Sequence, residues 1–557
     1  MSFKILPEID RGKTGNENRL IASMAAAVLI LILLFPPAGL ARQGNESGPE
    51  GESIGRVDFG VSCKKAVQDD FDHALGMLHH MMYVKSRAVF EEIIEAEPDC
   101  AMAYWGVATT LFQPLWDTRP SEDQLERGRR HIEKARGLDH SEREGHLIES
   151  TAAFFREPET AEYHTRFRRW ADAMKTAYEA HPDDPDIAAL YGLSRLALAQ
   201  RAEDPDPLYD EAEAVLRKVF ERVPKHPGAI HYSIHATDVD GRARNALDMV
   251  EVYGKIAPEV PHALHMPSHI YVRLGDWPKV IDWNRRSAEA ALKHPANGAV
   301  SHHYIHAVDY LIYAYLQRGE DDRAGAAFEE AQAKQKYQPT FISTFHIAAM
   351  PARMAVEQHD WKRAAALTPR TPQYLPWDES PWAEGLIRFA RGIGAAHMGD
   401  IEAAGEAERH LGELRDRAKA ADNEHMATYI EIDRRVLAGR IAYARKEPEK
   451  AVELTRSAAE LEKTVEKHPV TPGALLPPYE AVGDLLMNLD RPDEALEAYE
   501  ASDAIWPGRY NTLLGAARAA REAGDERTAR KHYERLFAKT GDSERAGLKE
   551  ADAFLEK

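Results

Sequence analysis

At 557 residues the chain is too long for one compact core, so it reads as several domains or one extended repeat array. Hydrophobic residues make up 44% and charged residues 29%, the balance of a folded protein. A formal net charge of −20 with no long basic stripe excludes binding to a phosphate backbone, and with it a nucleic-acid partner.

Residues 1 to 20 are polar and include Lys4, Arg11, Lys13 and Arg19; an apolar stretch then runs from Ile21 to Phe35. Pro36-Pro37 ends it, and Gly39-Leu40-Ala41 places small residues where a signal peptidase reads. About 15 apolar residues suit a signal-peptide core better than a bilayer span, which needs ~20. The polar leader is long, so residues 1–41 read as a signal peptide or an N-terminal membrane anchor. Either way the remainder is expected to be exported, periplasmic or tethered to the outer face of the inner membrane, touching the membrane only through this segment. Residues 42–60, rich in Gly, Ser and Glu, read as a flexible linker. Cys63 and Cys100, the two cysteines of the chain, are a disulfide candidate in an oxidising compartment.

Beyond the linker, Ala, Leu, Glu and Arg are abundant and alternating β-branched runs are scarce, which predicts an all-α protein. His79-His80-Met81-Met82 mixes imidazole with thioether, but consecutive residues face different sides of a helix, which favours packing. Ser121 to Gln124 carries a capping box after Pro120 and predicts a helix start. Near the C-terminus Gly483, Ala495, Tyr499 and Pro507 mark one unit, and Ala529 and Tyr533 recur 34 residues after Ala495 and Tyr499, behind a Gly524-Asp525 turn. Gly76 with Ala88, Gly106, and Ala246 with Pro258 fit the same spacing upstream. Small residues where two helices touch, an aromatic on the second helix and a closing proline form the tetratricopeptide pattern. It predicts an α-solenoid of helix hairpins, each burying its apolar face on its neighbour. Two proline-rich breaks, residues 369–381 and Pro469 to Pro478, read as seams. The expected layout is a solenoid over 61–368 with a histidine-lined groove, a seam over 369–381, and a second solenoid segment over 382–557.

The segments Cys100 to Gly106, His231 to His235, His262 to Ile270, and His306 to Leu311 with Tyr313 resemble a group of exported bacterial tetratricopeptide-repeat proteins. The resemblance implies the solenoid and the export, and no established activity. It also implies that the first helix of each hairpin lines a concave groove.

The histidines follow the repeat. His231 and His235 are four apart, as are His265 and His269, and the two pairs are offset by 34 residues. With the glycine of each first helix numbered 8, position 5 holds His73, His231, His265 and Asp309. Position 9 holds His235, His269 and Tyr313, and position 2 holds His262, His306 and His346. These positions share one helix face. An imidazole pair at i,i+4 grips an ion, and a neighbouring helix can add a third ligand. The expected metal ligands are therefore His231, His235, His265, His269 and Asp309, with zinc or copper as the metal. His73, His262, His306, Tyr313 and His346 are expected to line the groove that takes a protein or peptide partner. Packed, hydrogen-bonded histidines remain the bland alternative, and Pro267 predicts that His265 and His269 straddle a helix start. No His-Glu-x-x-His, Gly-x-Ser-x-Gly or phosphate loop is present, so no catalytic residue is assigned.

Overall fold

The computed structural model describes residues 53–116, 119–157 and 162–556. The expected signal or anchor segment, 1–41, lies outside the described residues, as does the linker up to residue 52. Among the described residues no helix is long and apolar enough to cross a membrane.

The described residues form one compact unit whose elements are helices, joined by isolated bridges at Ala296/Ala299 and Val300/Tyr337. The fold is an all-α solenoid of tetratricopeptide-type hairpins. Eight helices matter for the site: α1 (Gln68–His79), α2 (Pro185–Ala199), α3 (Pro227–Thr237), α4 (Pro261–His265), α5 (Pro267–Arg273), α6 (Trp277–Leu292), α7 (His302–Gln317) and α8 (Phe341–Glu357).

Local chemistry accounts for the hairpins. Helices stop at glycines in the left-handed region, Gly275, Gly399 and Gly524 (φ +60°, +84°, +81°). The next residue, Asp276, Asp400 or Asp525, caps the following helix by accepting from a backbone N–H in its first turn. Ser121 forms the capping box with Gln124. Small residues sit where helices meet: a Cβ on Gly106 would lie 2.5 Å from the Phe90 ring, and one on Gly483 2.7 Å from Tyr499. Cys63 and Cys100 are joined by a disulfide, with Cα atoms 5.0 Å apart.

The proline-rich stretch 369–381 interrupts helices without separating two bodies. Trp377 is buried within it, and the Phe345 ring on α8 lies 4.6 Å from that of Trp382, in one continuous hydrophobic cluster. The second stretch, Pro469 to Pro478, packs on α7 and α8. Tyr310 donates to the carbonyls of Pro469 (2.9 Å) and Thr471 (3.2 Å), and Arg353 donates to that of Gly473 (3.0 Å). Irregular backbone has carbonyls to spare for such contacts, where a helix would use them internally.

The C-terminal hairpins pack against α6, α7 and α8. Trp277 Nε1–H donates to Gly508 O (2.9 Å), Tyr510 N–H to Gln317 Oε1 (3.0 Å) and Lys539 Nζ to Gly275 O (2.7 Å). Arg509, fully buried, pairs with Glu357 (2.7 Å) and Glu480 (3.1 Å) and donates to Tyr313 Oη (3.1 Å). Tyr313, expected to line a groove, is thus covered by the chain's own C-terminal half.

Candidate metal centre

Among the described residues three groups of histidine and carboxylate side chains bring one ligand atom each within 4.8 Å of one another. Their hydrogen bonds tell them apart.

His265 ends α4, His269 lies in α5 and His306 in α7. Pro267, which has no N–H to give, starts α5 and breaks the helix between the first two rings. Asn284 on α6 donates its Nδ2–H to Val280 O (2.8 Å), so its Oδ1 accepts from His265 Nδ1–H (2.6 Å). His269 Nδ1–H donates to Asp238 (2.8 Å). A neutral imidazole carries one proton, so both Nε2 atoms present bare lone pairs, and they face each other at 3.0 Å. The same reasoning reaches His306. His346 Nδ1–H donates to Asp309 (3.0 Å), its Nε2 accepts from His306 Nδ1–H (2.6 Å), and His306 Nε2 is left bare. Burial holds His265 and His306 well below the usual histidine range, and lowers His269 despite the opposing pull of Asp238. All three rings are therefore neutral at pH 7, and opposed lone pairs at 3.0 Å repel unless a cation lies between them. Two nitrogens bound tetrahedrally to zinc at 2.0–2.1 Å are themselves ~3.3 Å apart.

The second group is His231 and His235 on α3 with His262 on α4. His231 Nδ1–H donates to the carbonyl of His79 (2.6 Å), which aims its Nε2 at the other two rings. That Nε2, His235 Nε2 and both nitrogens of His262 are buried with no hydrogen-bond partner. An orphaned buried polar group costs about 1–3 kcal/mol, so four in one place need a physical reason. Burial pushes His235 down to about 3 and His231 and His262 well below their ordinary value.

The third group, His79 (α1), Asp186 (α2) and His226, is different. Ala229 N–H donates to His226 Nδ1 (3.1 Å), so His226 Nε2–H donates to Asp186 (3.2 Å). His79 Nε2–H reaches the same oxygen at 3.0 Å, and its Nδ1 accepts from Tyr232 (3.2 Å). Both rings spend their protons on the carboxylate. This is a structural knot with no ring nitrogen left to bind an ion, although the carboxylate's second oxygen, Asp186 Oδ2, is buried without a hydrogen-bond partner. His80 is spent likewise, on Tyr253 and the carbonyl of Ile54.

The repeat explains the first two groups. Positions 5 and 9 of one unit meet position 2 of the next: His231 and His235 with His262, then His265 and His269 with His306. One unit on, Asp309 occupies position 5 and meets His346 at position 2. Here Arg353, position 9 of the following unit, pairs with Asp309 at 3.0 Å. The structure therefore rearranges the sequence-based assignments. His262 and His306, expected in a groove, converge with the paired histidines. Asp309 lies outside both trios, because Arg353 and His346 occupy its two oxygens. Tyr313 is buried against Arg509, and His346 is buried as a hydrogen-bond bridge. His73 is half-buried on α1 and belongs to none of the three groups.

Asp238, Asn284, Arg353 and Lys467 were missed by the sequence reading. Lys467 Nζ contacts Asp238 at 2.9 Å, and Arg273 donates to the same carboxylate at 3.0 Å. Asp238 stands three residues after His235, and Arg353 repeats the position-9 register, so those two carried a detectable signal. Lys467 arrives from a distant segment and carried none. A cavity of about 470 Å³ is lined by His235, Asp238 and Lys467. Another of about 740 Å³ is lined by His302, His303, Met82 and Trp116.

No family model matches the chain, and no curated relative matches it. Among solved structures it is similar to the APC/C hetero-tetramer Cut9-Hcn1, at 12% identity over 88% of this chain and 95% of that one, with a TM-score of 0.28. It is also similar to a tetratricopeptide repeat protein from Parabacteroides merdae ATCC 43184, at 13% identity over 53% of this chain and 97% of that one, again with a TM-score of 0.28. Likenesses this weak say nothing of what this chain binds. The fold rests on the chain's own helices, which make it an all-α solenoid of tetratricopeptide-type hairpins.

Proposed function

We propose that this chain is a metal-binding protein in which His265, His269 and His306 hold one first-row transition ion, zinc or copper. The observation that carries this reading is the pair of bare Nε2 atoms facing each other at 3.0 Å, each fixed by a proton committed on the other side of its ring. A three-imidazole set suits zinc and copper. Asn284, Asp238 and the Asp309–His346 relay orient the ligands, the role outer partners play around bound metals. The reading places this outside the cytoplasm, supported by the apolar segment Ile21 to Phe35 and the Cys63–Cys100 disulfide, which both fit an oxidising compartment.

The test is metal content by plasma mass spectrometry on protein purified without a polyhistidine tag. A bound transition ion, absent from a folded His265→Ala/His269→Ala variant, is the expected result. Protein that remains metal-free after incubation with zinc and copper salts contradicts the reading.

A protein or peptide partner finds support elsewhere on the surface. Val84, 52% exposed, lines the cleft of about 740 Å³ together with Met82 and Tyr83, and hairpin solenoids present concave surfaces of this kind to partners. A photo-reactive side chain placed at residue 84 should cross-link such a partner; a clean single-chain product argues against it.

A further inference from the structure

We propose that the trio His231, His235 and His262 holds a second ion beside the first, so that six imidazoles from consecutive repeat units carry a pair of copper(I) ions; this rests on the reading of His265, His269 and His306 as a metal site. Three observations carry it independently of one another.

The first is the set of buried nitrogens. His231 is wholly buried and His262 is 2% exposed, and their unpartnered nitrogens point into the same small space as that of His235. His231 is oriented as a bound imidazole is, with Nδ1–H spent on a backbone carbonyl at 2.6 Å and Nε2 directed inward. The knot of His79, Asp186 and His226 shows the alternative this chain uses when histidines serve packing, with each ring proton given to a carboxylate.

The second is the repeat itself. The two trios are one arrangement written twice, positions 5 and 9 of a unit with position 2 of the next. They adjoin directly: the His262 and His265 ring centres are 6.2 Å apart, and those of His235 and His269 are 6.1 Å apart. An ion can enter the second trio from two sides. His235 faces the cavity of about 470 Å³, and the His262 ring lies 5.3 Å from that of His303, which lines the cavity of about 740 Å³.

The third is charge. An imidazole binds a metal as the neutral base, so six such ligands bring no charge; Asp238, the carboxylate that touches them, is already matched by Lys467 and Arg273, as Asp309 behind His346 is by Arg353. No surplus negative charge remains to offset two divalent ions in a buried site. A monovalent ion content with three nitrogen ligands meets that constraint, and copper(I) is such an ion.

The experiment is an anaerobic titration of the full chain, without a tag, with copper(I) in competition with a chromophoric bathocuproine chelator. Two equivalents per chain are expected. One should remain in His231→Ala/His262→Ala, and at most one in His265→Ala/His269→Ala. A wild-type chain that binds one equivalent, lost only in His265→Ala/His269→Ala, overturns the second ion and leaves the first site standing. No binding to any chain overturns both. Two equivalents retained by both variants place the ions elsewhere and likewise overturn both. The wild-type count separates one ion from two without relying on either variant to fold.

Discussion

Asp309 accepts from His346 Nδ1 at 3.0 Å while Arg353 holds its other oxygen, and His346 in turn accepts from His306. The carboxylate thereby decides which nitrogen of His306, two rings away, is bare. Asp309→Asn keeps the shape and removes that decision, so copper or zinc affinity should fall roughly 10- to 100-fold, the usual cost of losing an outer partner of a metal ligand. A competition titration measures it, and unchanged affinity would take Asp309 out of the account. Histidines outside the row contribute to acid stability as well. Burial pushes His80 and His397 down to about 3 and His302 down to about 4. The unfolded chain, with histidines near 6.5, binds more protons between those values, so stability is fully present above pH 6.5 and is lost as pH falls toward 4. Each such group contributes about 1.4 kcal/mol per pH unit in that window. The apo-protein's urea midpoint should therefore drop steadily from pH 6.5 to 4; a flat profile would mean that these rings are solvated. At this scale the sequence was partly legible. The i,i+4 pairs and the position-2 histidines were visible because the repeat fixes their register. Which position-2 residue joins which pair was not, since that depends on how far one hairpin is rotated against the next.

Two elements shape the row, a broken helix and an irregular cover. Pro267 divides α4 from α5 between His265 and His269, and the missing N–H that marks the break was readable in advance. The segment around Pro469 to Gly473 reads from sequence only as a break, because proline density says where helices end and not what the freed backbone will cover. It approaches so closely that a Cβ on Gly473 would lie 2.7 Å from Tyr313 Oη. Gly473→Ala should accordingly lift this cover, costing ~1–3 kcal/mol as overpacking does. Urea unfolding reads the cost, and faster amide exchange across residues 467–473 reads the lifting. A variant as stable and as protected as wild type would show that the cover is looser than these contacts imply.

Among the described residues the C-terminal hairpins pack back on α6, α7 and α8. The 34-residue spacing of Ala495 with Ala529 and of Tyr499 with Tyr533 made the hairpins legible, because close helix contact demands small residues at fixed places. Those long-range contacts were not legible, because they depend on small rotations at every hairpin and no local residue encodes them. Arg509 is the clearest of them, buried with Glu357 on α8 and Glu480 from the C-terminal half. Removing one partner of a buried ion pair strands the rest, so Arg509→Ala should cost ~3–5 kcal/mol. Its unfolding should also separate into two transitions if the C-terminal hairpins detach first.

The central claim is that the bare nitrogens of His265 and His269 are paired through a cation. Anomalous diffraction from crystals of the tag-free protein, collected on both sides of the copper and zinc edges, tests it at the atoms concerned. The account predicts an anomalous peak between the two Nε2 atoms, about 2.0–2.1 Å from each and within reach of His306. Crystals loaded with either metal that show no peak there, with Nε2 to Nε2 still near 3.0 Å, would mean that a proton holds the rings together, and would contradict it.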